Sequence, residues 1–324
     1  MNQNTNDPTG TLAAPKMPRH MPALHLGNPT TVGPLTVFPV WTGARLSGNR
    51  YYRTPARGGA IVEELDSGAK VGQVQVRHVN KHPMVLLEGS LLEAGWQHRV
   101  LLHDVAVADE HTEIVDVACV EHGRWGSADA AQRTGNRRAP LAVRGAAFGL
   151  RREHSAAFAP GHERLADQGD VWRRVSRYER RHGASATSSL VEVSARLDRQ
   201  VARLVRRVAP LPGQRGVLIG IGGHPALLEV FDHPETLVEN WEGILGSVWM
   251  DARGTTQEAT PGYRARAFVR RISRSPIRPV RRAGAGTGVL TEDLSLFTGR
   301  GLILGPSLVH AAVLNTRHDL VLAA

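Results

Sequence analysis

The chain has 324 residues, 41% of them hydrophobic, one cysteine and a formal net charge of +10. It is too apolar for a disordered polymer and long enough for one large core or two modest ones. The lone Cys119 excludes an intrachain disulfide and a cysteine-rich zinc site, and no apolar run approaches the ~20 residues that span a bilayer.

The basic charge invites a nucleic-acid partner, but its make-up argues for a general preference for arginine. Of the 40 basic residues only Lys16, Lys70 and Lys81 are lysines. The densest patch, Arg264 to Arg282, carries one aromatic pair, Tyr263 and Phe268, and no repeated base-stacking pattern. The first 21 residues are polar and contain prolines, with no apolar core for a secretory signal, so a cytoplasmic protein without a membrane partner is expected.

Residues 1–24 read as a disordered tail. The first clear strand is Leu35 to Trp41, in which Pro39 signals an edge or a bulge. Through residue 125 the pattern stays β-rich, with runs at Val71–Val79, Met84–Leu87, Arg99–Val107 and Glu113–Val120 separated by turns such as Asn80-Lys81-His82-Pro83. Residues 126–185 carry little periodicity and read as a loop-rich connection. Ser189-x-x-Glu192 opens a helix through Leu190, Val193, Leu197, Val201, Leu204 and Val208, which Pro210 stops. Gly222-Gly223 lies between two apolar runs. A phosphate-binding loop would need a helix directly after the glycines, and the run Leu227 to Phe231 instead marks a β-hairpin. Asp232-x-x-Glu235 reads as the cap of a second helix with Leu237, Trp241, Ile244, Leu245, Val248 and Trp249 on one face. A basic helix near 261–273 and strands around 277–282, 301–304 and 308–314 follow, with a glycine turn at 284–288. The fold class is α+β: an N-terminal antiparallel β-sandwich or open barrel over 25–125, then mixed helices and β-hairpins over 186–324 packed on it.

Alternation along Glu113–Glu121 puts Val115, Val117 and Cys119 on a core face and carries Glu121 to its end. A carboxylate there needs a partner, and Arg124 or Arg99 can supply it. Glu88 ends the apolar run from Met84, and Gln97 opens the next strand. In a meander Glu88, Gln97, Arg99, Glu121 and Arg124 would converge at one sheet edge, with Trp125 beside them as a stacking surface. Cys119, mid-strand, reads as a buried small hydrophobe. His98, His103, Asp104, Asp109, His111 and His122 are scattered near this edge, but no spacing among them matches a metal site.

The stretch Met84-Val85-Leu86-Leu87-Glu88-Gly89, then Gln97-His98-Arg99, together with Ala118-Cys119-Val120-Glu121-His122-Gly123-Arg124-Trp125, resembles the ARG and Rhodanese-Phosphatase-superfamily-associated domain family. The second block is its specific part, similar to Ser/Ala-Cys-Val-Glu-x-Gly-Arg-Trp. Weaker similarity runs through Val171-Trp172, Val230-Phe231 and Asp251 and covers about 25–315; Ser90 and Trp96 depart from the pattern. The resemblance implies an association with ADP-ribosylglycohydrolases and rhodanese- or phosphatase-type proteins, and so with ADP-ribose or nucleotide metabolism.

Three functions follow as expectations. The first is an accessory protein binding a small anionic, nucleotide- or ADP-ribose-like ligand through Arg99, Arg124, Gln97 and Trp125. The alternative is a hydrolase of a glycosidic or phosphoester bond with Glu121 as acid/base and Glu88 assisting; nucleic-acid binding is the third. The residues do not identify a cofactor or an oligomeric state, and no metal is expected.

Overall fold

The structure is a computed structural model that describes residues 17–44, 46, 54, 59–79, 84–126, 132–150 and 166–322. The expected tail lies outside these residues up to position 16. Beyond it the chain is already packed: Arg19 accepts a backbone bond from Ile277 at 2.8 Å, and Met21 is buried.

The opening strands β1 (Leu24–Leu26), β2 (Thr30–Val32) and β3 (Leu35–Thr42) form one edge of a nine-stranded antiparallel sheet. Pro39 is tolerated there because it falls between the β1 and β2 pairings. Its carbonyl accepts from Gly27, so the N–H that proline lacks would have faced the same gap.

The β-rich region that follows is a barrel. β4 (Ala60–Glu63), β5 (Gln73–His78), β7 (Ser90–Ala94), β8 (Arg99–Leu101), β10 (Thr112–Cys119) and β11 (Gln132–Arg138) run in the order β10-β5-β4-β11-β7-β8, closing at the single pair Val62–Gln132. Val62, Val74, Val76, Leu92, Leu101, Val115 and Val117 fill it. β6 (Met84–Leu86) and β9 (Val105–Val107) leave the barrel and pair with each other. The face of β10 read as core does face the barrel interior, and its other face is covered at the C-terminal end, where Ala118 and Val120 pack against helices, while Ile114 is exposed.

Those helices are α1 (Leu141–Ala147), α2 (Gln168–His182), α3 (Leu190–Ala195) and α4 (Asp198–Arg207). The stretch 126–185, expected to be loop-rich, therefore holds β11, α1 and α2. Every residue of α1 is buried, so it has no polar face and no amphipathic period to read. Ser189 caps α3 by accepting from Glu192 at 3.3 Å, while the other half of the capping box is relayed: the Ser189 N–H donates to the Ser185 hydroxyl, which donates to the Glu192 carboxylate. The helix expected to run unbroken to Val208 is interrupted at Arg196–Leu197.

β12 (Gly216–Ile221) and β13 (His224–Phe231) form the expected hairpin, with Gly222 and Gly223 at φ +55° and +85°. α5 (Pro234–Ala252) begins at His233, with Pro234 in its first turn. Asp232, expected as its cap, is instead 3.4 Å from Arg215. Trp241 is core, its indole donating to the Val208 carbonyl. α6 (Gly262–Arg274), β14 (Arg278–Ala283), β15 (Gly286–Asp293), β16 (Phe297–Leu304), β17 (Ser307–Asn315) and the short α7 (Asp319–Leu322) complete the chain. The sheet runs β1-β3-β12-β13-β17-β16-β15-β14, with β2 also on β3. Val217, Ile219 and Ile221 face α5, whereas Leu218 faces α6 with Phe38 and Val40. The α+β class holds. Among the described residues no helix is long and apolar enough to cross a membrane.

Candidate functional site

Glu121 and Arg124 meet as expected. Arg124 Nη2 lies 2.7 Å from Glu121 Oε2, and the His98 backbone N–H and the Thr187 hydroxyl donate to the same carboxylate at 2.8 and 2.7 Å. Burial pushes the Glu121 carboxyl up, but the bonds from Arg124, Thr187 and His98 outweigh it and hold it below the usual carboxylate range. Gln97 joins the group, its amide donating to the Arg124 carbonyl at 2.5 Å. Gly123 lets the turn approach closely, because a Cβ there would stand 3.0 Å from Thr187 backbone atoms.

His98 Nδ1 is 2.7 Å from the Ser189 hydroxyl and 3.3 Å from Glu121. That constellation is not a nucleophilic triad. Both neighbours approach the same ring nitrogen, whereas a triad needs serine and acid on opposite nitrogens. Ser189 is also fully buried and committed to capping α3.

Arg99 does not join this group. It pairs directly with Cys119 in the ladder, shares its inward face, and forks onto Glu64 at 2.9 and 3.0 Å. The alternation that would have kept Glu121 beside it ends at Cys119, where β10 stops and the chain turns to bridge Ser189. Cys119 is fully buried, and desolvation raises its thiol pKa. Trp125 is 52% exposed and stands edge-to-face on Trp96 at 5.4 Å.

Glu88 lies elsewhere, because β6 pairs with β9 and not within a meander. It enters a buried ionic group at the junction of ribbon, α1 and sheet. Arg144 grips both Glu88 and Glu229; Arg138 Nη1 lies 3.2 Å from Glu229, and its Nη2 donates to the Glu88 carbonyl at 2.7 Å. His310 sits between Asp104 at 2.8 Å and Glu229 at 3.6 Å. Burial opposes charge on His310, yet Asp104 and Glu229 prevail and hold its pKa at about 9. Arg138 and Arg144 likewise hold Glu229 far below the usual carboxylate range despite burial. Three carboxylates thus face three cations. Sequence reasoning misses Arg144, Glu229 and His310, although an ionisable residue inside each apolar run (Leu141–Ala147, Leu227–Phe231, Leu308–Leu314) is the signal that could reveal them.

A cleft of about 540 Å³ opens at a third place, between β7, β11 and helices α3, α4 and α5. Arg137, Arg138 and Arg199 line it together with Glu93, Asp198 and Glu242. Arg137 donates from both terminal nitrogens to Asp198 at 2.6 and 2.7 Å, and lies 3.3 Å from Glu93 and from Ser194. Gly243 brings α5 against β11, since a Cβ there would overlap the Asn136 carbonyl oxygen. Neither Glu88 nor Glu121 lines this cleft. Among the described residues no group of three or more His, Cys, Asp or Glu side chains is arranged to hold a metal ion.

Fold and site together define an α+β protein with a closed β-barrel, a buried neutral cluster of six ionisable groups and a mixed-charge cleft beside the barrel. A family model described as ARG and Rhodanese-Phosphatase-superfamily-associated Protein domain matches residues 23–314, and the chain belongs to that family. Neither the curated proteins nor the solved structures yield a match.

Proposed function

We propose that the protein is an accessory factor that binds a nucleotide- or ADP-ribose-like anion in the cleft between β11 and α3–α5. The observation that carries this reading is the lining. Three arginines and three carboxylates surround a volume within the ~300–1,000 Å³ of small-molecule sites. Guanidinia suit phosphate oxygens, and carboxylates accept from sugar hydroxyls. A ligand carrying both kinds of group fits better than a bare anion or a neutral sugar. The family's association with ADP-ribosylglycohydrolase and phosphatase proteins points the same way.

The binding site that the sequence suggests around Arg99, Arg124, Gln97 and Trp125 is less favourable. Arg99 is committed to Glu64 and Arg124 to Glu121, both shielded carboxylates that cannot turn out into water as the exposed Asp198 can, and Gln97 is committed to backbone carbonyls, which leaves Trp125 as the exposed member. The hydrolase alternative loses support for a related reason: its two carboxylates are buried in separate ion clusters. Nucleic-acid binding keeps one basis, the exposed arginines Arg266, Arg270 and Arg274 along α6, but Tyr263 is the one exposed large aromatic beside them.

Titration calorimetry of the full chain with ADP-ribose and ADP tests the proposal, with chromatography of the ligand afterwards. Binding that is lost in Arg137→Gln, kept in Glu121→Gln and accompanied by intact ligand supports it. Absence of binding to both compounds refutes it, and turnover abolished by Glu121→Gln would restore the hydrolase.

A further inference from the structure

We infer that Asp198 is a placeholder carboxylate, occupying on Arg137 the position that a ligand phosphate takes and giving it up when the ligand binds. The inference rests on the reading of the cleft as an anion site. Arg137 Nη1 and Nη2 each reach a different oxygen of Asp198, at 2.6 and 2.7 Å. This two-pronged arrangement is the one a guanidinium offers to phosphate.

The two partners are held very differently. Arg137 is fixed on β11, its side chain three-quarters shielded and braced by Ser194 and Glu93. Asp198 stands in the first turn of α4 with 53% of its side chain exposed, so its carboxylate can rotate into water while Glu93 and Ser194 remain on the shielded Arg137. An exposed ion pair adds little stability, and breaking it costs correspondingly little. A pyrophosphate group, entering a wall that also contains the exposed Arg199, offers a stronger partner than one solvated carboxylate. Without a ligand, Asp198, Glu93 and Ser194 together hold the Arg137 guanidinium at the cleft wall, so it is already placed when the phosphate arrives.

Glu242 provides the control. It lines the same cleft and carries the same charge, but acts on Arg137 through the field alone, where Asp198 also accepts its hydrogen bonds. Calorimetry with inorganic pyrophosphate and with ADP-ribose is compared for wild type, Asp198→Asn, Glu242→Gln and Arg137→Gln. Asp198→Asn should tighten both ligands about tenfold, Glu242→Gln by less than about threefold, and Arg137→Gln should abolish binding. Unchanged or weaker binding by Asp198→Asn overturns the placeholder role, as does equal tightening by Asp198→Asn and Glu242→Gln, which would reduce the effect to overall charge. If wild type binds neither ligand the cleft reading itself falls, an outcome distinct from binding that Asp198 does not influence.

Discussion

Arg144 on α1 lies 2.6 Å from Glu229 on β13, and neither side chain reaches solvent. The same guanidinium holds Glu88, so one cation joins the segment after β6, the central helix and the nine-stranded sheet. Removing one member of a buried ion cluster strands the others, at a cost of about 3–5 kcal/mol. Arg144→Met should lower the urea-unfolding free energy by that amount. Arg144→Lys should recover only part of it, since a compact ammonium lacks the planar fork that spans Glu88 and Glu229. A loss below about 1 kcal/mol would place these charges outside the forces that hold the fold.

His310 sets an alkaline limit. Its folded pKa of about 9 exceeds the unfolded value of about 6.5, so the folded state holds its proton more tightly. That contribution is complete below about pH 6.5 and disappears as pH rises through about 9. Asp251 acts in the same direction: burial lifts its carboxyl to about 7 despite bonds from Tyr178 and the Leu141 N–H, and its share is lost as pH rises through 7. The melting temperature should therefore fall between pH 6 and 9.5, and His310→Gln should flatten the part above pH 7. A level profile in the wild type would contradict the assigned charges.

Glu121→Gln addresses the motif block. The carboxylate ties the end of β10 to His98, Arg124 and the turn before α3, so its loss should cost about 2–3 kcal/mol. Affinity for ligands in the cleft should stay within about twofold. A variant of full stability that binds nothing would move the site back to Glu121.

The hairpin glycines are a backbone test. Both have positive φ, and a Cβ on Gly223 would stand 2.7 Å from the Glu258 carboxyl group. Gly222→Val should destabilise by about 1–2 kcal/mol, from the strain of a β-branched residue in a left-handed conformation. Chemical denaturation measures it directly, and a neutral result would mean that the turn relaxes.

Features set by neighbours in sequence are legible from sequence: the Ser189 cap, the Gly222-Gly223 turn, the inward row Val115, Val117, Cys119, and the Glu121–Arg124 pair three residues apart. Features set by distant pairing are not. Arg99 finds Glu64 only because closure of the barrel sets β8 opposite β4, and Glu88 goes to Arg144 because β6 leaves it. The cleft is hidden for the same reason, since Arg137, Asp198 and Glu242 come from a strand and two helices that share no spacing pattern.

The placement of β3 has a consequence for the order of events during synthesis. Every ladder of the barrel is made within residues 60–138, whereas β3 pairs with β12, Pro39 standing opposite Val217. A chain emerging from the ribosome can close the barrel while β3 has only β1 and β2 on one edge. Val37, Phe38 and Val40 then stay uncovered until β12 is translated. Joining such distant strands is entropically slow. Refolding should accordingly show a fast barrel phase and a slower one, the latter reported by Trp41 as its indole reaches the Pro212 carbonyl. In the interval the open edge of β3 is the surface on which a chaperone, or a second unfinished chain, would first catch.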